Sequence, residues 1–188
     1  MKDYKLILAS QSPRRQQLLQ QLGYTFEIRL KETDETVPTH LPANQVSMFL
    51  AEKKANTFKN DLKNNELLIT ADTIVIIEGE ILNKPHNYEE AVQMLAKLSG
   101  KAHEVVTGFS LTTTEKQITQ SDTTLVHFKH LTPLEIDFYI KNYHPFDKAG
   151  SYGAQDWIGM VGITRIEGSY FNVMGLPVHQ LYIALEEF

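Results

Sequence analysis

The chain has 188 residues, of which 42% are hydrophobic and 22% charged, ordinary values for one soluble globular domain with enough apolar material for a real core. Its formal net charge of -5 excludes a broad basic face for gripping duplex nucleic acid. The absence of cysteine excludes disulfides, thiol nucleophiles and thiolate metal sites.

The first apolar run, Leu6-Ile7-Leu8-Ala9, is too short for a signal segment, and the longest one elsewhere is broken by Asp72. The expectation is a cytoplasmic chain with no membrane span. That first run predicts a strand, followed by the tight loop Ser10-Gln11-Ser12-Pro13-Arg14-Arg15 and a helix carrying Leu18, Leu19 and Leu22. Ser12 suits the N-cap and Pro13 the first helical position. Arg14 and Arg15 then fall in the first turn, where free amides and the macrodipole already present positive charge. A lone arginine pair more often faces solvent or a distant carboxylate. Strand, serine loop and helix start together point instead to an anion, with Ser10 and Ser12 near a phosphate.

Gly23 closes that helix, and residues 24–30 alternate as a half-buried strand. A polar loop over 31–44, holding Asp34-Glu35, leads to a helix over 45–57 with Lys53 and Lys54 on or near its polar edge. Residues 67–77 predict a strand that turns at Glu78-Gly79-Glu80 into a short return, Ile81-Leu82. Asn87 and Glu90 cap a helix that ends at Gly100. Strands over 104–112 and 117–129 follow, then a helix over 133–142 begun by Thr132-Pro133-Leu134-Glu135. The last third reads as glycine-punctuated loops, short strands and a final helix over 179–186, with Tyr139, Tyr143 and Phe146 packing. No repeat or linker divides the chain, which reads as a single domain over 1–188 of α/β class with a mixed sheet.

Asp72 is the most informative carboxylate, because it stands in a run that has every reason to be buried, and a bare buried carboxylate is costly. A strand bulge bonding nearby amides would account for it. Thr73 beside it and Lys84 returning after the hairpin favour an active site, and Lys54 could converge there. Glu35 and Asp72 together would suit Mg²⁺, which one or two carboxylates hold alongside substrate phosphates. The stretch Asp147-Lys148-Ala149-Gly150-Ser151-Tyr152-Gly153-Ala154-Gln155 is either a turn-rich connector or a loop approaching a ligand. Gln155 could read a nucleobase edge. The histidines lack zinc-protease spacing, and no Walker, dinucleotide or hydrolase-elbow sequence occurs.

Taken in order, Leu8-Ala9-Ser10-Gln11-Ser12-Pro13-Arg14-Arg15, Ala71-Asp72-Thr73, Gly79-Glu80-Ile81-Leu82-Asn83-Lys84-Pro85, the 147–155 stretch and Val173-Met174-Gly175-Leu176-Pro177 resemble the Maf family of nucleoside triphosphate pyrophosphatases. The likeness covers nearly the whole chain. It implies a long twisted mixed sheet flanked by helices, two lobes with a central cleft, and the fold shared with inosine triphosphate pyrophosphatases. It also implies divalent-metal-dependent hydrolysis (Mg²⁺, Mn²⁺ or Co²⁺) of a nucleoside triphosphate to the monophosphate and pyrophosphate. Position by position, Asp72 becomes the proton acceptor, and Arg14, Thr73 and Gln155 the specificity positions. Arg15, Glu35, Lys54 and Lys84 fall among the other cleft residues.

The 152–155 stretch resembles the branch acting on dTTP and UTP more than the 7-methyl-GTP branch, with Ala154 and Asp156-Trp157 departing from the usual pattern. As a mechanism, Asp72 and a metal shared with Glu35 would activate water, while Arg14, Arg15, Lys54 and Lys84 would neutralise the phosphates. Exchange of the Glu35 and Asp72 roles stays open. So do a nucleotide-binding regulator of septum formation, a house-cleaning role on modified pyrimidine nucleotides, and a homodimer.

Overall fold

A computed structural model describes residues 4–188 of the chain. The first half runs β1 (Lys5–Leu8), α1 (Pro13–Gln21), β2 (Phe26–Ile28), α2 (Val46–Asn56), β3 (Glu66–Ile77) and β4 (Glu80–Leu82). The second runs α3 (Tyr88–Leu98), β5 (Ala102–Thr112), β6 (Gln117–Phe128), α4 (Pro133–Tyr143), α5 (Trp157–Gly162), β7 (Ile163–Glu167), α6 (Tyr170–Met174) and α7 (Val178–Glu187). The strands form one seven-stranded sheet in the order β2-β1-β3-β5-β6-β7, with β4 added beside β3. β1 is parallel to β2 and β3, whereas β4 is antiparallel to β3 and β7 to β6. The helices flank this sheet, giving the mixed α/β architecture that alternating elements predict. No helix among the described residues is long and apolar enough to cross a membrane.

Local chemistry fixes the boundaries. Ser12 caps α1 with Pro13 at its first position, and Gly23 follows it with φ +86°. Asn87 Oδ1 accepts from Glu90 N at 2.8 Å at the start of α3, and Thr132 and Glu135 form a reciprocal capping box on α4. Each such cap contributes about 1 kcal/mol.

The chain divides into two compact units, one formed by the residues up to Thr73, Thr107–Asp122 and Gly175–Phe188, the other by Ile74–Val106 and Thr123–Met174. In the first, Ile7, Ala55, Phe58, Leu62 and Leu68 form a buried cluster in which α2 covers β1 and β3. In the second, Val75, Leu95, Val126, Tyr139, Tyr152 and Ile158 belong to the core that α3 and α4 cover.

Three expectations are corrected. The second strand is only Phe26–Ile28, because its one partner, β1, ends where Leu8 pairs with Ile28. Ile28 and Leu30 are therefore exposed. Of the three aromatics expected to pack, Tyr139 is buried and Tyr143 stacks on it with ring centroids 5.3 Å apart, whereas Phe146 is exposed. The last third holds α5, β7 and α6 ahead of the final helix, elements too short to show a period.

Candidate functional site

The candidate site grows from β3. β1 pairs with β3 as far as Leu8 opposite Ile69, and β4 takes up pairing at Val75, so residues 70–74 lie outside both ladders. Strand alternation sends Leu68, Thr70 and Asp72 toward α2 and the intervening residues to the other face. Helical spacing puts Ala51, Lys54, Ala55 and Phe58 on one face of α2 and its continuation. Accordingly Thr70 Oγ1 donates to the Ala51 carbonyl at 2.6 Å, and Lys54 Nζ donates to Asp72 Oδ1 at 2.6 Å. Lys54 thus faces the strand, not the polar edge, with a side chain only 18% exposed beside the 14% exposed Asp72.

The same ammonium lies 2.9 Å from Glu35 Oε1. Glu35 stands on a loop that its neighbours tie down: Asp34 accepts from Thr36 N and from Lys53 Nζ, which also donates to the Thr36 carbonyl. Lys53, followed by Thr36, holds the Asp34 carboxyl well below the usual carboxylate range. The lysines at 53 and 54 therefore part company: one fixes the loop from outside, the other bridges Glu35 to Asp72.

On the opposite side of β3, Arg15 reaches from the first turn of α1. Its Nε donates to the Gly175 carbonyl at 2.8 Å, Nη1 to the Ala71 carbonyl at 2.8 Å and Nη2 to Thr73 Oγ1 at 2.9 Å. Three of a guanidinium's five N–H groups thus hold the chain's own oxygens, and one of these is the Ala71 carbonyl, in the stretch of β3 that pairs with neither β1 nor β4. Burial pushes the Arg15 guanidinium below its ordinary value, with Asp72 acting against that. Thr73 Oγ1 also lies 2.9 Å from Thr107 Oγ1 on β5. Gly175 has φ +113°, and a Cβ there would stand 3.4 Å from Thr73 Oγ1 and 3.6 Å from Arg15 Nε. Glycine suits both the backbone and the close approach. Ser10 Oγ accepts from Ser12 N at 3.2 Å, and Ser12 Oγ from Arg15 N at 3.5 Å. No acidic residue stands in the first turn of α1, so the helix dipole there is uncompensated by its own residues.

Among the described residues no three His, Cys, Asp or Glu side chains gather as a metal-holding group. The donor set is instead two carboxylates converging on one cationic position, with Lys54 in it. Two carboxylates fit a Mg²⁺-like ion that completes its shell with water and substrate phosphates.

The second unit carries Lys84 and Gln155. Lys84 is exposed on the loop after β4, and that loop is tied to the glycine turn, because the Asn83 carbonyl accepts from Gly150 N at 3.1 Å. Beyond the turn, Asp156 Oδ2 accepts from Tyr139 OH at 2.7 Å while Gly153 N donates to the same hydroxyl at 3.0 Å. Lys148 Nζ lies 3.8 Å from Asp156 Oδ2. Burial, then the Asp156 partner, pushes the Tyr139 hydroxyl far above its ordinary value. Gln155 Oε1 is buried and has no hydrogen-bond partner among the described residues.

Of the residues singled out in the sequence, then, Glu35, Lys54 and Asp72 form one chain of contacts, and Ser12, Arg15 and Thr73 another. Arg14 is an electrostatic neighbour of Arg15. Thr107, the Gly175 carbonyl and the Tyr139–Asp156 pair were missed. Nothing in a main-chain carbonyl or a strand threonine marks it in sequence, although Gly175 lies within a motif already quoted.

A mixed-sheet α/β chain with a lysine-bridged carboxylate pair on one side of its central strand, and an arginine-anchored helix start on the other, has the makings of a polyanion-handling protein. A family model described as "Maf-like protein" matches residues 5–188. The chain belongs to the Maf family. It is 50% identical over 188 residues to a "dTTP/UTP pyrophosphatase" of Phocaeicola vulgatus, covering 100% of this chain and 97% of that one. It is 49% identical over 182 residues to the protein so named in Flavobacterium johnsoniae, covering 97% and 94%. A third relative of that name, from Porphyromonas gingivalis strain W83, is 48% identical over 191 residues, covering 100% and 96%.

Proposed function

We infer that the protein is a cytoplasmic nucleoside triphosphate pyrophosphatase acting on dTTP and UTP, the 188 residues working as one nucleotide pyrophosphatase domain. The observation that carries the reading is the Glu35–Lys54–Asp72 arrangement, in a chain half identical over its full length to relatives bearing that name.

Asp72 is the proton acceptor. Its carboxylate is set on a strand and largely shielded from solvent, whereas Glu35 is 53% exposed on a loop, so Asp72 is the better fixed of the two, as general-base catalysis needs. Water attacks the α-phosphorus, its proton passes to Asp72, and the bond from the α-phosphorus to the bridging oxygen breaks with release of pyrophosphate. A Mg²⁺, Mn²⁺ or Co²⁺ ion held by Glu35 and Asp72 would supply Lewis-acid polarisation at the phosphate oxygens. Ser10, Ser12 and Arg14 bind phosphate at the start of α1, where free amides favour anions. Arg15 orders that helix start against β3, and any phosphate contact it makes uses the N–H groups left over. Lys54 and Lys84 neutralise the departing pyrophosphate. Thr73 and Gln155 contribute to base choice. The Gln155 Oε1 atom can accept from the N3–H that thymine and uracil carry and cytosine lacks. Lys84 and Gln155 enter this reading through their motifs.

The test is pyrophosphate release from dTTP, UTP, CTP and 7-methyl-GTP with each metal. Turnover of dTTP and UTP, falling at least a hundredfold in Asp72→Asn, is expected. Tight dTTP binding without pyrophosphate release, or preference for 7-methyl-GTP, would refute the assignment.

A further inference from the structure

Lys54 is doing something other than waiting for phosphate. Its ammonium lies 2.6 Å from Asp72 Oδ1 and 2.9 Å from Glu35 Oε1, and these are the two oxygens a divalent cation would need. Lys54 stands on the strand-facing side of α2, one helical turn from the buried Ala51. That placement aims the ammonium at the carboxylates without any ligand. A lysine ammonium is a compact, strongly hydrated point charge. It can satisfy two carboxylates by geometry and charge alone, as a metal ion does.

We propose that Lys54 is a resident counter-cation of the Glu35–Asp72 pair, which a divalent cation must displace, so that this lysine lowers the metal affinity of the nucleotide-free site. The inference rests on the assignment of Glu35 and Asp72 to the metal. A cation entering between the carboxylates breaks two charge-assisted contacts and meets a positive charge at short range, in surroundings where Asp72 is poorly screened by water. An arriving triphosphate reverses that balance, because it offers the displaced ammonium a new anion. Metal and nucleotide then favour each other's binding, and the empty protein holds metal poorly. The two carboxylates remain neutralised and fixed in place in the meantime.

The experiment titrates the protein with Mn²⁺ alone, without nucleotide, and reads binding by the electron paramagnetic resonance of free Mn²⁺. Lys54→Met keeps the apolar stem and removes the charge, and it is expected to tighten Mn²⁺ binding at least tenfold over the parent protein. Lys54→Gln, also uncharged and with a shorter stem, tightens it too. Lys54→Arg keeps a cation and leaves the affinity within about threefold of the parent. That contrast separates loss of charge from loosening of structure. Circular dichroism confirms that each variant is folded. Unchanged or weaker Mn²⁺ binding in both Lys54→Met and Lys54→Gln overturns the proposal. So does equal tightening by Lys54→Arg. Failure of the underlying reading has a different signature: Asp72→Asn and Glu35→Gln would then leave Mn²⁺ binding unaltered in the parent and in Lys54→Met alike.

Discussion

Replacing Arg15 by lysine keeps the positive charge near Asp72 and removes the fork. The parent guanidinium serves three acceptors: the Gly175 carbonyl, the Ala71 carbonyl and Thr73 Oγ1. An ammonium on a four-carbon stem cannot span both faces of that arrangement, so at most one acceptor keeps its donor. Thr73 Oγ1 retains its contact with Thr107, which leaves the two carbonyls to bear most of the loss. A hydrogen bond from a charged donor contributes about 1.5–3 kcal/mol, and the lower figure suits a half-buried side chain. Losing two such bonds costs about 3 kcal/mol. For a chain of this length 1 kcal/mol moves Tm by about 2–4 °C, so Arg15→Lys should melt about 6–12 °C below the parent protein. Differential scanning calorimetry at pH 7.5 without nucleotide or metal makes the comparison. Arg165→Lys serves as the control, since Arg165 is 67% exposed and pairs with Glu167 only at 3.4 Å, and it should change Tm by no more than about 2 °C. If Arg15→Lys melts with that control, the guanidinium does not anchor α1 to β3 and its role lies wholly with the ligand.

Gly175→Ala, forced to keep φ +113° beside Arg15, should cost about 1–2 kcal/mol in urea denaturation. Combined with Arg15→Lys it should cost less than the two added together, because both loosen the same hydrogen bond; strict additivity would count against that shared origin. His103 is buried against Tyr152, with Nε2 2.7 Å from the hydroxyl, and burial lowers its pKa from 6.5 to about 4. The unfolded chain takes up this proton first, so the contribution is intact above pH 6.5 and is lost as pH falls toward 4. It amounts to about 3 kcal/mol. The folding free energy of His103→Gln should be flatter across that window, and an unchanged slope would contradict the assignment. Gln155→Ala should lower kcat/KM for UTP at least tenfold and narrow the UTP-to-CTP ratio, as expected if the buried Oε1 accepts from the base N3–H; a ratio that stays put would assign that discrimination elsewhere.

What sequence could and could not disclose follows from the physics of each contact. Asp72 was legible because a single acid in an apolar strand has no bland reading that costs nothing. Ser12 and Pro13 were legible because capping acts within one helical turn. The job of Arg15 was not, since its acceptors stand 56, 58 and 160 residues away, and two of them are main-chain carbonyls that any residue would supply. The lysines at 53 and 54 are adjacent in sequence, but a helix turns about 100° per residue. One therefore fixes the Glu35 loop from the solvent side while the other enters the strand face. Residue type alone leaves a lysine near two carboxylates ambiguous between a phosphate ligand and a competitor for the metal. Direction removes part of that ambiguity. Set on the β3-facing side of α2 with its ammonium 2.6 Å from Asp72 Oδ1, Lys54 is a partner of Asp72 before any phosphate arrives, and catalysis has to begin by moving it.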